Sequence, residues 1–125
     1  MDVNNYLKLS IRKTYFKRVC KYKQYNNILS KEAYEYLISK TELLINKVLK
    51  VNYFRLTNVF LAACFWIVNK YCDDDSFYRG EILKGFDLHE KHSNMLDNYE
   101  GRILKSIGWN LEFIRANPSK SIISV

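Results

Sequence analysis

The sequence predicts an all-α domain, and three observations predict it. No stretch alternates strictly between apolar and polar residues, and neither Asn-Gly nor Asp-Gly occurs to turn a hairpin. Apolar residues recur instead at intervals of three and four, the period of a helix with one buried face. The longest apolar run, Val59 to Val68, has ten residues, about half of what spans a bilayer. A run apolar on every side but too short for a membrane predicts a helix surrounded by other helices. At 125 residues, with one proline and four glycines, the chain reads as one domain with little room for linkers.

Each element follows in order. Leu7, Ile11, Tyr15 and Val19 recur every four residues and predict a first, basic amphipathic helix. Ser30 can cap a helix from Lys31 to about Lys50, with Glu32 early, where it complements the helix dipole. Leu37, Leu44 and Val48 share one of its faces, flanked by Tyr34, Ile38, Ile45 and Leu49. A short break at Val51 to Tyr53 precedes the central helix, expected from about Phe54 to Tyr71. Asp73, Asp74 and Asp75 end that pattern, and Ser76 can cap a short helix through Phe86. Asp87 to His92 reads as a connection, in which Asp87 and Glu90 have the spacing of a capping box. Ser93 then caps a last helix to about Ile107, with Leu96, Tyr99, Ile103 and Ile107 on its buried stripe. Gly108 is its natural stop. The result is five helices, one of them central.

The net charge of +7 is unevenly placed. Residues 1–50 hold 11 basic and 4 acidic side chains, whereas residues 51–125 balance at 9 of each. Most of the excess lies in the first helix, where Lys8, Arg12, Lys13, Lys17, Arg18, Lys21 and Lys23 meet no acid. A basic face of this kind is commonly just solvated. It can also form a patch for nucleic acid or for an acidic partner, with Arg12, Lys13, Lys17, Arg18 and Lys21 as the contacts.

Other signals narrow the class. Cys20, Cys64 and Cys72 form no CxxC pair, and the odd count suggests reduced thiols. The start, MDVNNYLKLS, lacks the apolar core of a signal peptide. Together these predict an intracellular protein of nucleus or cytoplasm, with no membrane role. Catalytic motifs are missing: His89 and His92 lack metalloprotease spacing, and neither Cys64 nor Cys72 has a motif neighbour for nucleophilic work. No glycine-rich phosphate loop occurs, and Asp73 to Asp75 lack the alternating oxygen ligands of a calcium loop. Trp66 and Trp109 read as core. The expectation is a protein that is not an enzyme and takes no metal or cofactor.

Three segments carry a family resemblance. AACFWIVNKYCDD, residues 62–74, is an apolar helix ending on lysine, an aromatic and acids. EGRILKSIGWNL, residues 100–111, sets one glutamate before an Ile-Leu-Lys pattern and closes on Trp-Asn-Leu. SKEAYEYLISKTE, residues 30–42, places Glu42 ten residues after Glu32. Together these resemble the third, fifth and second helices of the cyclin box, over residues 10–112. Residues 1–9 would then be an extension and 113–125 a tail.

The resemblance implies a partner, a cyclin-dependent protein kinase, rather than an active site. It implies that Lys70 and Glu100 hydrogen-bond backbone groups beside the kinase's C helix, with Ile67, Tyr71 and Asp73 on the same surface. It also implies that Glu42 pairs with a base of the first helix, Arg12 or Lys13. The chain departs from the family where Lys-Tyr-Cys-Asp replaces Lys-Tyr-Glu-Glu, and where SIRKTYFKR replaces the first helix's docking motif. Only one box is present, so single-box cyclins of the P/U type, or a reduced viral or parasite version, are the nearest subtype. Two other readings remain: a nucleic-acid-binding cyclin fold like that of transcription factor IIB, and a decoy that binds a kinase without activating it.

Overall fold

Residues 58–73 form the helix around which the rest of the chain is arranged. The computed structural model describes residues 31–73 and 77–115, and among these the secondary structure is helical, with no strand. The elements are α1 (Lys31–Val51), α2 (Asn58–Asp73), α3 (Arg79–Gly85), a single 3₁₀ turn (Glu90–His92), α4 (Ser93–Ser106) and α5 (Glu112–Arg115). The first helix expected from sequence, and Ser30 and Ser76 as caps, lie outside the described residues.

Helix α2 is central because its sequence is apolar around most of its circumference. Phe60, Leu61, Ala62, Ala63, Cys64, Phe65 and Val68 are fully buried, and α1, α3 and α4 all pack against it. Each fully buried Phe or Leu contributes about 1.5–3 kcal/mol through area removed from water. Phe65 meets Phe77 and Phe86 at ring-centroid distances of 5.4 and 6.2 Å, both tilted. On α1, the expected face of Leu37, Ile38, Leu44, Ile45 and Val48 is buried against this helix. Leu96 and Ile103 bury the matching stripe of α4, with Tyr99 and Ile107 partly covered.

Helix α2 begins later than the sequence suggested. Thr57 caps it, its hydroxyl accepting from the Phe60 amide at 3.2 Å, so the helix starts at Asn58 rather than near Phe54. Phe54 is freed to turn inward, where its ring stacks on Phe60 at 5.0 Å. Side-chain clips then fix the ends of α2. The Asn58 amide donates to the Phe86 carbonyl at 2.9 Å, and the buried Asn69 amide donates to the Phe77 carbonyl at 3.0 Å.

Two further expectations need correction. Asp87 does not open a capping box; it sits at φ +59 just past α3 and helps close that helix. The Leu88 amide donates to the Leu83 carbonyl at 2.7 Å and the Asp87 amide to Lys84 at 3.1 Å, the paired bonds of a Schellman turn. Ser93 does not cap α4 with its side chain. It is the first helical residue, and its oxygens instead accept from Arg79.

The end of α4 is as expected and then continues. Gly108, at φ +65, allows the Trp109 amide to reach the Leu104 carbonyl at 2.8 Å, a second Schellman turn. Trp109, expected in the core, is 66% exposed because that turn aims it outward. Phe113 and Ile114, read from sequence as the start of the tail, return to the body: Ile114 is fully buried on α5.

Candidate functional site

Lys70 lies in the last turn of α2, where the helix dipole favours a cation. Glu100 lies mid-way along α4. Packing of α4 on α2 brings the two together across 30 positions of sequence, with Lys70 Nζ 2.5 Å from Glu100 Oε2. The side chains are 43% and 18% exposed, so the pair sits at the surface with its carboxylate end partly sheltered. A pair this exposed adds at most about 1 kcal/mol to folding. Its consequence is geometric: an ammonium with donors to spare and a carboxylate with a second oxygen are held side by side.

The lysine is positioned on another side by Trp66, one turn earlier on α2. Its ammonium lies 5.0 Å from the centre of the Trp66 ring, within the range of a cation–π contact. Helical spacing of four residues puts the two side chains on one face, so this contact was legible in sequence once the helix was accepted. Trp66 was expected in the core; it is partly buried and packs against the core, with its indole Nε1 itself buried.

The other residues expected at the site divide. Tyr71 is half-buried against the core beside Lys70. Asp73 is the last residue of α2. Ile67 does not join the surface: it is 3% exposed and belongs to the hydrophobic core. Three residues before Lys70, it points to the packed side of a helix that buries most of its circumference. Glu42 is part-buried on α1; its expected partners Arg12 and Lys13 lie outside the described residues. So do Lys17, Arg18 and Lys21, the rest of the basic patch.

Arg79 and Asp97 were not singled out from sequence, and Ser93 was read only as a helix cap. Arg79 Nε donates to Ser93 Oγ at 2.7 Å, and its Nη2 donates to the Ser93 carbonyl at 2.8 Å and to Asp97 Oδ1 at 2.5 Å. The guanidinium also lies 5.6 Å from the Trp66 ring centre. This arginine therefore clips the start of α3 to the start of α4. Nothing local marks it in sequence, because its partners are 14 and 18 residues away.

Among the described residues, no group of three or more His, Cys, Asp or Glu side chains is placed to hold a metal ion. The His92 Nδ1 accepts from the His89 backbone amide at 2.9 Å, committing that nitrogen to closing the 3₁₀ turn. No helix of the described residues is long and apolar enough to cross a membrane. Comparison of the chain with protein-family models, with curated proteins and with solved structures yields no match.

Proposed function

We propose that this chain is a cyclin-like regulatory subunit that binds the C-helix region of a cyclin-dependent protein kinase and activates or redirects it. The observation that carries the reading is the Lys70–Glu100 pair, closed between the end of the central helix and its amphipathic neighbour. The cyclin-box resemblance assigns these two residues to partner backbone, and their pairing makes them a single preset unit. Lys70 spends one donor on Glu100 and keeps others for carbonyl groups; the second Glu100 oxygen accepts from amides. A kinase helix so held brings its own glutamate to the ATP-binding lysine, the step on which kinase activation turns.

A pull-down with purified cyclin-dependent kinase catalytic subunits tests this. The intact chain is expected to retain a kinase, and Lys70→Ala combined with Glu100→Ala to lose it. Undiminished retention by the double variant sinks the interface. A DNA affinity that falls steeply with salt and ignores both residues would favour the nucleic-acid reading instead. Turnover of substrate by the captured kinase then separates an activator from a decoy.

A further inference from the structure

The connection between α1 and α2 forms a groove on the N-terminal side of the central helix, whereas Lys70 lies in that helix's last turn. Its volume is about 720 Å³, and Leu49, Tyr53, Phe54 and Leu56 line it together with Lys50 and Arg55. That size falls within the roughly 300–1,000 Å³ of clefts that take ligands. Tyr53 is 79% exposed. Residues 43–72 contain no Asp or Glu, so the groove's two cations, both exposed, have no acid beside them in sequence.

A third cation comes from α4. Arg102, also exposed, lies 4.9 Å from the Phe54 ring centre and 5.1 Å from that of Tyr99. These cation–π contacts position the guanidinium without committing its N–H donors to an oxygen. The nearest acids of α4 are engaged elsewhere, Asp97 with Arg79 and Glu100 with Lys70. Two residues beyond Glu100, Arg102 projects about 200° away around the helix, so it serves a different surface. Among the described residues, Lys50, Arg55 and Arg102 have no carboxylate partner.

We propose that this groove binds an acidic peptide segment of a partner protein, with a large apolar side chain on the floor and carboxylates on Lys50, Arg55 and Arg102. The site does not depend on Lys70 or Glu100. Charge selects the sign of the occupant: three unpaired cations around an apolar floor attract an acidic segment and repel a basic one. The floor selects its class. A single-stranded nucleic acid needs successive open ring faces on which its bases stack. Tyr53 offers one exposed ring, but Phe54 is buried, with Phe60 stacked on its ring and Arg102 over it. Leu49 and Leu56 suit an apolar peptide side chain, and arginine clusters recognise acidic motifs.

Fluorescence anisotropy of the full chain with a labelled peptide, Glu-Asp-Phe-Glu-Asp-Leu-Glu-Asp, tests the proposal. The intact chain is expected to bind it with a Kd below about 1 mM, and no binding up to that concentration overturns the proposal. Arg55→Glu and Arg102→Glu are each expected to weaken binding at least about tenfold. Lys91→Glu, an equal change of charge on the 3₁₀ turn, is expected to stay within about twofold of the parent. Alanine in place of the peptide's Phe and Leu is expected to weaken binding at least about fivefold. The exposed Arg55 side chain makes no hydrogen bond, so the thermal melt of Arg55→Glu should match the parent, and this variant decides if Arg102→Glu is unstable. Parent-like binding by Arg55→Glu overturns the proposal, and so does an equal loss from Lys91→Glu, because net charge alone would then hold the peptide. Undiminished binding of the alanine peptide removes the apolar anchor and the proposal with it. Tighter binding of an oligothymidylate of equal charge assigns the groove to nucleic acid instead.

Discussion

Lys40 is 1% exposed, an unusual place for an ammonium. It donates to the Ile114 carbonyl at 2.7 Å and lies 5.1 Å from the Tyr36 ring centre. The lysine thus ties α5 to α1 from inside. Lys40→Met keeps the length of the side chain but leaves that carbonyl without this donor. It is expected to cost about 2 kcal/mol of stability in urea unfolding, at the scale of an unmade buried hydrogen bond. The residue scale also separates what the sequence makes legible from what it does not. Lys70 and Glu100 stand out because each sits in a segment with its own pattern, and the structure pairs them. Lys40 and Arg79 do not, because what distinguishes them is a contact 74 or 14 residues away. Ile67 was misplaced for a related reason. A helix apolar on every side carries no record of which turn reaches the surface.

At the scale of elements, α3 and α4 end in the same device with different residues. Gly108 supplies the left-handed φ after α4, and Asp87 supplies it after α3. No atom stands within 4 Å of where a Gly108 Cβ would be, so a substitution there meets only backbone strain. Gly108→Ala is expected to lower stability by about 1 kcal/mol. Asp87→Gly is expected to be neutral or stabilising by a few tenths, and Asp87→Val to cost more than about 1 kcal/mol, because a β-branched residue tolerates this φ worst. Thermal melts of the three variants check that order. The glycine stop was legible because glycine is the ordinary residue for the position. The aspartate was not: before an acid three residues on, it looked like the start of a turn rather than the end of one. The start of α2 was misjudged in a similar way. Phe54 fits a helical stripe, yet it is Thr57 that satisfies the first amides.

For the molecule as a whole, the central helix makes stability depend on pH through the buried Cys64 thiol. Burial pushes the Cys64 thiol well above its ordinary value of 9.0. The folded chain keeps that proton while the unfolded chain loses it above about pH 9, so the contribution is complete below that pH and is lost as pH rises. The unfolding free energy is expected to fall by up to about 1.4 kcal/mol per pH unit above 9, beyond any fall shown by Cys64→Ala. Denaturant melts of both chains at about pH 8 and pH 10 measure the difference. The same helix also governs which changes in chain length can be absorbed. Asn58 is clipped to Phe86, Asn69 to Phe77, and Lys70 faces Glu100, so α2 has a fixed rotational phase against its neighbours. One residue added within α2 would turn Lys70 about 100° away from Glu100. The same residue added to the connection between Asn52 and Thr57 would turn nothing. The thirty positions between lysine and glutamate are thus incidental; the phase of each within its own helix is what builds the surface.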